Sequence, residues 1–144
     1  EYQNELGNHS YNHKWLSRLP VNSLKDQIEK TQQILQETLS YQPKYLRPTY
    51  GSVNDRIRKN TDLKIILWTV DTKDWKIKNV DRIIEKATTN IEDGDIILMH
   101  DIFERSSQAL EKIIPILKEQ GFQFVTISEL EEVKKIRGYI DTDN

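Results

Sequence analysis

Leu63-Lys64-Ile65-Ile66-Leu67-Trp68-Thr69-Val70, followed at once by Asp71-Thr72-Lys73-Asp74-Trp75, is the stretch on which the fold turns. Its Ile, Leu, Trp and Val content predicts a buried strand, and the polar residues after it mark the strand's end. Upstream, Leu24, Ile28, Leu35 and Leu39 share one face of a helix predicted over 21–39, with Ser23 and Asp26 spaced as a capping box. Tyr45-Leu46-Arg47 reads as a short strand stopped by Pro48, and 53–59 as a short helix. Downstream come a helix over 80–87, an apolar run over 95–99 and a helix over 106–119 carrying Leu110, Ile113, Ile114 and Leu117. Gly121 ends that helix, 122–127 reads as a final strand, and Ser128-Glu129-Leu130 starts a last helix.

Strands thus alternate with helices across short connections, the pattern of a parallel sheet covered by helices. Counting Leu6-Gly7-Asn8 as the stub of a first strand gives about five strand-helix units, where a closed (β/α) barrel takes roughly 250 residues. The expected fold is therefore α/β, an incomplete (β/α) barrel, with residues 1–135 forming part of one domain and 136–144 a polar tail. The absent units are expected before Glu1, because the C-terminal end tails off into the polar residues 138–144, and the abrupt start without Met suggests an upstream segment.

Charge is balanced, with Lys+Arg 21 against Asp+Glu 23, so no basic excess suggests a nucleic-acid partner. There is no Cys, which removes disulfides, thiol catalysis and Cys-based zinc sites. No apolar run is long enough to span a bilayer, and none follows a basic start as in a signal peptide.

Four clusters bear chemistry. His9-Ser10-Tyr11-Asn12-His13 holds two of the three histidines; a spacing of four puts both imidazoles on one side of a helical turn, where they can share a divalent metal. The same spacing also arises by chance on a solvated turn. Arg47-Pro48-Thr49-Tyr50-Gly51 ends a strand, with Pro48 fixing the chain and Gly51 permitting a sharp turn; it suits an Arg aimed at a carboxylate, or equally an ordinary surface turn. Asp71-Thr72-Lys73-Asp74-Trp75 reads alone as a solvated loop with an aromatic plug, and Leu98-Met99-His100-Asp101 as a strand ending in a structural His. Together they say more: each falls at the C-terminal end of a predicted strand, the rim on which barrel active sites gather.

In this order the four clusters resemble the motifs of the polysaccharide deacetylases of the NodB type, carbohydrate esterase family four: His-Ser/Thr-x-x-His, Arg-x-Pro-Tyr-Gly, Asp-x-x-Asp-Trp and Leu-x-His. The resemblance runs from Gly7 to about Glu132, and is most like the peptidoglycan N-acetylglucosamine deacetylases. Thr49 stands where the family commonly has a second Pro, and little consequence is expected, since Pro48 remains. The larger departure is the family's Asp-Asp motif, which supplies the general base and a third metal ligand; no Asp-Asp pair occurs in these 144 residues.

The resemblance implies metal-dependent hydrolysis of acetyl groups from N-acetylglucosamine residues of a polysaccharide. It implies His9 and His13 as ligands of a divalent metal, zinc first, with cobalt or nickel as options. Arg47 would orient the base, the Tyr50 backbone N–H would stabilise the oxyanion, Trp75 and Leu98 would enclose the acetyl methyl, and His100, partnered by Asp74, would protonate the leaving amine. Asp71 and Asp101 have no clear role. An N-terminal fragment of the same protein carrying Asp-Asp is the expected partner. Peptidoglycan is the first substrate reading, which places the protein outside the cytoplasm or in the envelope of a bacterium. Acetylxylan ester cleavage, chitooligosaccharide deacetylation and a non-catalytic carbohydrate-binding remnant are the alternatives.

Overall fold

In the computed structural model, which describes residues 4–132 and the backbone of 140–141, the periodic apolar segment folds as helix α1, Val21–Leu39. Leu24 and Ile28 are buried on its inner face, whereas Leu39 is exposed. The expected capping box does not form: the N-cap is Pro20, three residues before Ser23, with no side-chain cap, so Ser23 already lies inside the first turn. Strand β1, Tyr45–Leu46, follows, then helix α2, Asp55–Arg58, whose N-cap Asn54 accepts a hydrogen bond from the Ile57 N–H.

The long buried strand expected over 63–70 is two short ones. Strand β2, Lys64–Ile66, pairs in parallel with β1, whereas strand β3, Val70–Asp71, pairs in parallel with strand β4, Ile97–Leu98. The stub at Leu6-Gly7-Asn8 contributes a single parallel bridge, Asn8 to Leu46, with hydrogen bonds to Tyr45 and from Arg47. Strand β5, Ile140–Asp141, runs antiparallel to β2. It departs from the parallel pattern and falls within the expected polar tail, the rest of which lies outside the described residues.

The chain groups into two compact units, one built from residues up to Leu67 with 140–141, the other from Trp68 onward. The first is centred on Leu16, Leu24, Ile28, Leu46, Ile57 and Ile65. The second is centred on helix α3, Val80–Thr88, packed against helix α4, Glu104–Glu119, through Ile83, Ala87, Ala109, Ile113 and Leu117. Burying each such aliphatic side chain contributes about 1.5–3 kcal/mol, so each unit has a real core of its own. Helix α4 ends as expected: Gly121 takes a left-handed φ of 92°, its N–H reaches the Lys118 carbonyl, and the Phe122 N–H reaches that of Leu117.

The expected strand over 122–127 does not form: 122–126 pairs with no strand among the described residues, and Ile127 opens the next helix. Phe124 and Val125 are left exposed and rim an open apolar groove with Ile96, Met99 and Phe122, so the sequence is strand-like while its ladder partner is lacking. Helix α5, Ile127–Glu132, starts one residue earlier than expected. Thr126 caps it, its hydroxyl accepting from the Glu129 N–H while Glu129 accepts from the Thr126 N–H, and those bonds hold the exposed Glu129 carboxyl below its ordinary value.

Candidate active site

Of the residues singled out in the sequence, His9, His13, Arg47 and Tyr50 lie in the first unit, and Asp74, Trp75, Leu98 and His100 in the second. In the first, the segment carrying the two histidines is not a helical turn. It is a loop bent by left-handed residues, Ser10 at φ 67° and His13 at φ 59°, and this bend brings the two imidazoles to a centroid separation of 5.0 Å. The His9 Nδ1–H donates to the Arg47 carbonyl at 2.5 Å, so Nε2 is the ring nitrogen that carries the lone pair. A backbone carbonyl on the other ring nitrogen is how metal-binding histidines are commonly oriented.

The pair fits a shared ion. With a metal–nitrogen distance of about 2.0–2.1 Å and a tetrahedral angle, two imidazole centroids come to lie roughly 5 Å apart. Among the described residues no third Cys, His, Asp or Glu completes the set.

The turn after β1 stands beside this loop. Tyr50 is held at φ 60° and ψ 14°, followed by Gly51 at φ 62°. A left-handed aromatic residue is strained by about 1–2 kcal/mol, and such strain persists where surrounding contacts enforce it. Here they come from Thr49, which is fully buried: its hydroxyl donates to the Lys14 carbonyl and accepts from the Leu16 N–H. The expectation that Thr49 has little consequence is therefore corrected, because a Pro at this position has no hydroxyl with which to tie the turn to the histidine loop. The Tyr50 ring meets His13 edge-on at 5.0 Å, and among the described residues its N–H has no acceptor. Arg47 is partly buried, which lowers its pKa, and no carboxylate among the described residues pairs with it.

In the second unit the acid–histidine pair forms as a closed network. Asp74 is completely buried and accepts from His100 Nδ1–H at 2.7 Å, from the His100 backbone N–H at 2.6 Å and from the Ser106 hydroxyl at 2.7 Å. Burial alone would raise its pKa; the hydrogen bonds from Ser106 and His100, with the His100 charge, outweigh this and hold the carboxyl below its ordinary value. Because Nδ1 carries the proton shared with Asp74, Nε2 is the nitrogen left to exchange one.

Thr72, also fully buried, donates to the Leu98 carbonyl and so joins the ends of β3 and β4. Arg105 Nε donates to the Asp74 carbonyl while its guanidinium lies over Phe103. Leu98 is buried in β4, whereas Trp75 is half exposed. Asp71 accepts from the Lys73 N–H in a tight turn and Asp101 is exposed, consistent with loop roles. Ser106, Thr72 and Arg105 were not singled out in the sequence, where nothing marks a Ser six residues after a His as its partner's anchor.

Comparison with known proteins places these features in context. The family model for polysaccharide deacetylase matches residues 1–65. The chain is 44% identical over 134 residues to the peptidoglycan-N-acetylmuramic acid deacetylase PdaC of Bacillus subtilis, covering 93% of this chain and 29% of that protein. The solved structure of PdaC superposes with a TM-score of 0.88, covering 92% of this chain and 65% of that one. The peptidoglycan-N-acetylglucosamine deacetylase PgdA of Listeria monocytogenes is 38% identical, covering 90% of this chain and 28% of that protein. The Xyl-CE4 domain of a multidomain xylanase from the hindgut metagenome of Trinervitermes trinervoides is 32% identical at TM-score 0.84, covering 96% of this chain and 68% of that domain. The chain thus spans less than a third of the first two curated relatives, and about two thirds of the solved domains. The expected fold class, part of a (β/α) barrel, is borne out by these superpositions.

Proposed function

The chain belongs to the polysaccharide deacetylase family, carbohydrate esterase family four, and we propose that its parent protein hydrolytically removes acetyl groups from N-acetylglucosamine residues of peptidoglycan. The observation that carries this is the Asp74–His100 pair: a fully buried carboxylate, held ionised by three donors, orients an imidazole whose second nitrogen is left to deliver a proton. A module that only bound saccharide has no use for such a proton donor.

His9 and His13 are the residues that hold the family's divalent metal, zinc on this reading. When bound, the ion polarises the acetyl carbonyl and makes water a nucleophile at neutral pH. The rest of the chemistry belongs to the chain. The unengaged N–H of Tyr50 donates to the oxyanion that develops on the acetyl oxygen, and the fixed left-handed turn keeps it aimed without reorganisation. His100 Nε2 passes its proton to the amine nitrogen as the C–N bond breaks, and Asp74 steadies the imidazolium's orientation through Nδ1. Trp75 and Leu98 flank the acetyl methyl.

Arg47, a partly buried cation with no carboxylate partner among the described residues, orients the general base. On this reading the base and the third metal ligand are the Asp-Asp carboxylates of a segment outside these 144 residues, which contain no such pair. The substrate places the protein in the cell envelope or outside the cell. Zinc- or cobalt-reloaded full-length protein should release acetate from peptidoglycan and N-acetylglucosamine oligomers, and metal-stripped protein should not. No release by metal-loaded protein shown to carry an Asp-Asp segment would sink the reading.

A further inference from the structure

Beside the histidine loop of the first unit runs a continuous row of rings ending in a cation. Tyr50 contacts His13 at 5.0 Å, the Trp15 ring lies 4.6 Å from Tyr50 at a 38° tilt, and the Arg18 guanidinium carbon sits 3.5 Å over Trp15. Tyr50 and Trp15 are 58% and 36% exposed, a large apolar area to leave in water unless something covers it. Arg18 is exposed too, and among the described residues no carboxylate pairs with it. With its guanidinium carbon over the indole, Arg18 gains a cation–π contact that restrains it while its N–H donors remain available to a ligand.

The surrounding sequence is one-sided in charge. From Gly7 to Leu24 the chain has Lys14 and Arg18 but no Asp or Glu, and from Pro43 to Asn54 it has Lys44 and Arg47, again without an acid. Stacked aromatic rings accept the apolar C–H face of a pyranose. A preorganised guanidinium beside them accepts a carboxylate.

We propose that Tyr50, Trp15 and Arg18 form a saccharide subsite beside the His9–His13 pair, and that Arg18 selects a sugar unit bearing a free lactyl carboxylate, as muramic acid does. This rests on the peptidoglycan reading and deepens it: in a glycan alternating glucosamine with muramic acid, the neighbour of an N-acetylglucosamine at the metal carries that free acid wherever its stem peptide has been removed, so the subsite selects peptide-free strands. Trp15 supplies the stacking surface and holds Arg18; Arg18 supplies the selectivity.

The test is binding to the full-length protein in its metal-stripped form, which does not turn the probes over, read by calorimetry with three probes: a glucosaminyl–muramic acid tetrasaccharide with free lactyl carboxylates, its lactyl methyl ester, and the N-acetylglucosamine tetramer. Arg18→Gln should weaken the free acid about fivefold and leave the other two unchanged, and Arg18→Lys should recover part of the loss. Trp15→Ala should weaken all three by up to about tenfold. Equal loss of all three probes in Arg18→Gln, or no loss in any, overturns the proposal. An equal Arg18-dependence for a glucuronic-acid-substituted xylooligosaccharide overturns the choice of muramic acid. Because binding is read without turnover, protein that binds the acid through Arg18 yet releases no acetate supports the subsite and counts only against the reaction.

Discussion

The two units hold their chemically able residues in opposite ways. In the second, Asp74 and His100 satisfy one another, and Ser106, Thr72 and Arg105 complete the network. In the first, the groups are strained and unfinished: His13 and Tyr50 sit in left-handed conformations, and among the described residues the Tyr50 N–H has no acceptor and Arg47 no carboxylate. One region is a closed device, the other a set of donors and cations that calls for anions. A network that satisfies itself can be rigid before substrate arrives, whereas open donors keep their free energy for the ligand.

The largest effect should come from the open side. His13→Ala leaves one imidazole, and metal affinity of the full-length protein should fall by more than the roughly 10–100-fold that follows loss of a group merely orienting a ligand. Metal content after dialysis reads this directly, with thermal stability of the metal-free protein unchanged. Retained metal would mean that His13 is no ligand. On the closed side, His100→Gln should cut acetate release by about 10²–10⁴-fold while metal content stays intact. Loss of metal in that variant would erase the division between the two regions.

Smaller is the effect on stability of opening the closed network. Asp74→Ala leaves the buried Ser106 hydroxyl and the part-buried His100 N–H groups without their acceptor, and should cost about 1–3 kcal/mol by denaturant unfolding. The pH dependence has a definite sign. Asp74 has a folded pKa below its unfolded one, so its contribution is present above the ordinary carboxylate range and is lost as pH falls through the depressed folded value. Asp74→Asn should flatten that acid limb of the stability profile. An unchanged limb would mean that other carboxylates govern acid unfolding.

The same contrast explains what could be read from the sequence. Helix α1 was legible to the residue because its apolar period is long, and the end of α4 because Gly121 is a strong stop signal. The strand read over 63–70 was not seen to split, since apolar content marks burial and does not say which sheet takes each half. At the site, residue types and order were legible and conformation was not. His9 and His13 come together through two left-handed residues, not through helical spacing, and nothing in His-Ser-Tyr-Asn-His predicts a positive φ at Ser10 or His13. Ser106 and Thr72 escaped notice because a buried hydroxyl bond across 32 or 26 residues leaves no local pattern.

The finest test bears on Thr49, the residue whose importance the sequence understated. Its hydroxyl bridges two backbone groups of the segment just after His13, accepting at 3.2 Å from Leu16 and donating to Lys14. It thereby fixes the turn that carries Tyr50 against the loop that carries the histidine pair. Thr49→Val keeps the shape and removes the bridge, leaving a buried N–H and C=O unsatisfied. The expected loss is about 1–3 kcal/mol of stability. Thr49→Ser retains the hydroxyl and should recover most of it, while Thr49→Pro, the residue common elsewhere in the family, should resemble Val here because Lys14 and Leu16 still lack their partner. If Pro and Val were both neutral, the left-handed turn at Tyr50 would be held by Pro48 and Gly51 alone, and the open region would need no strap of its own.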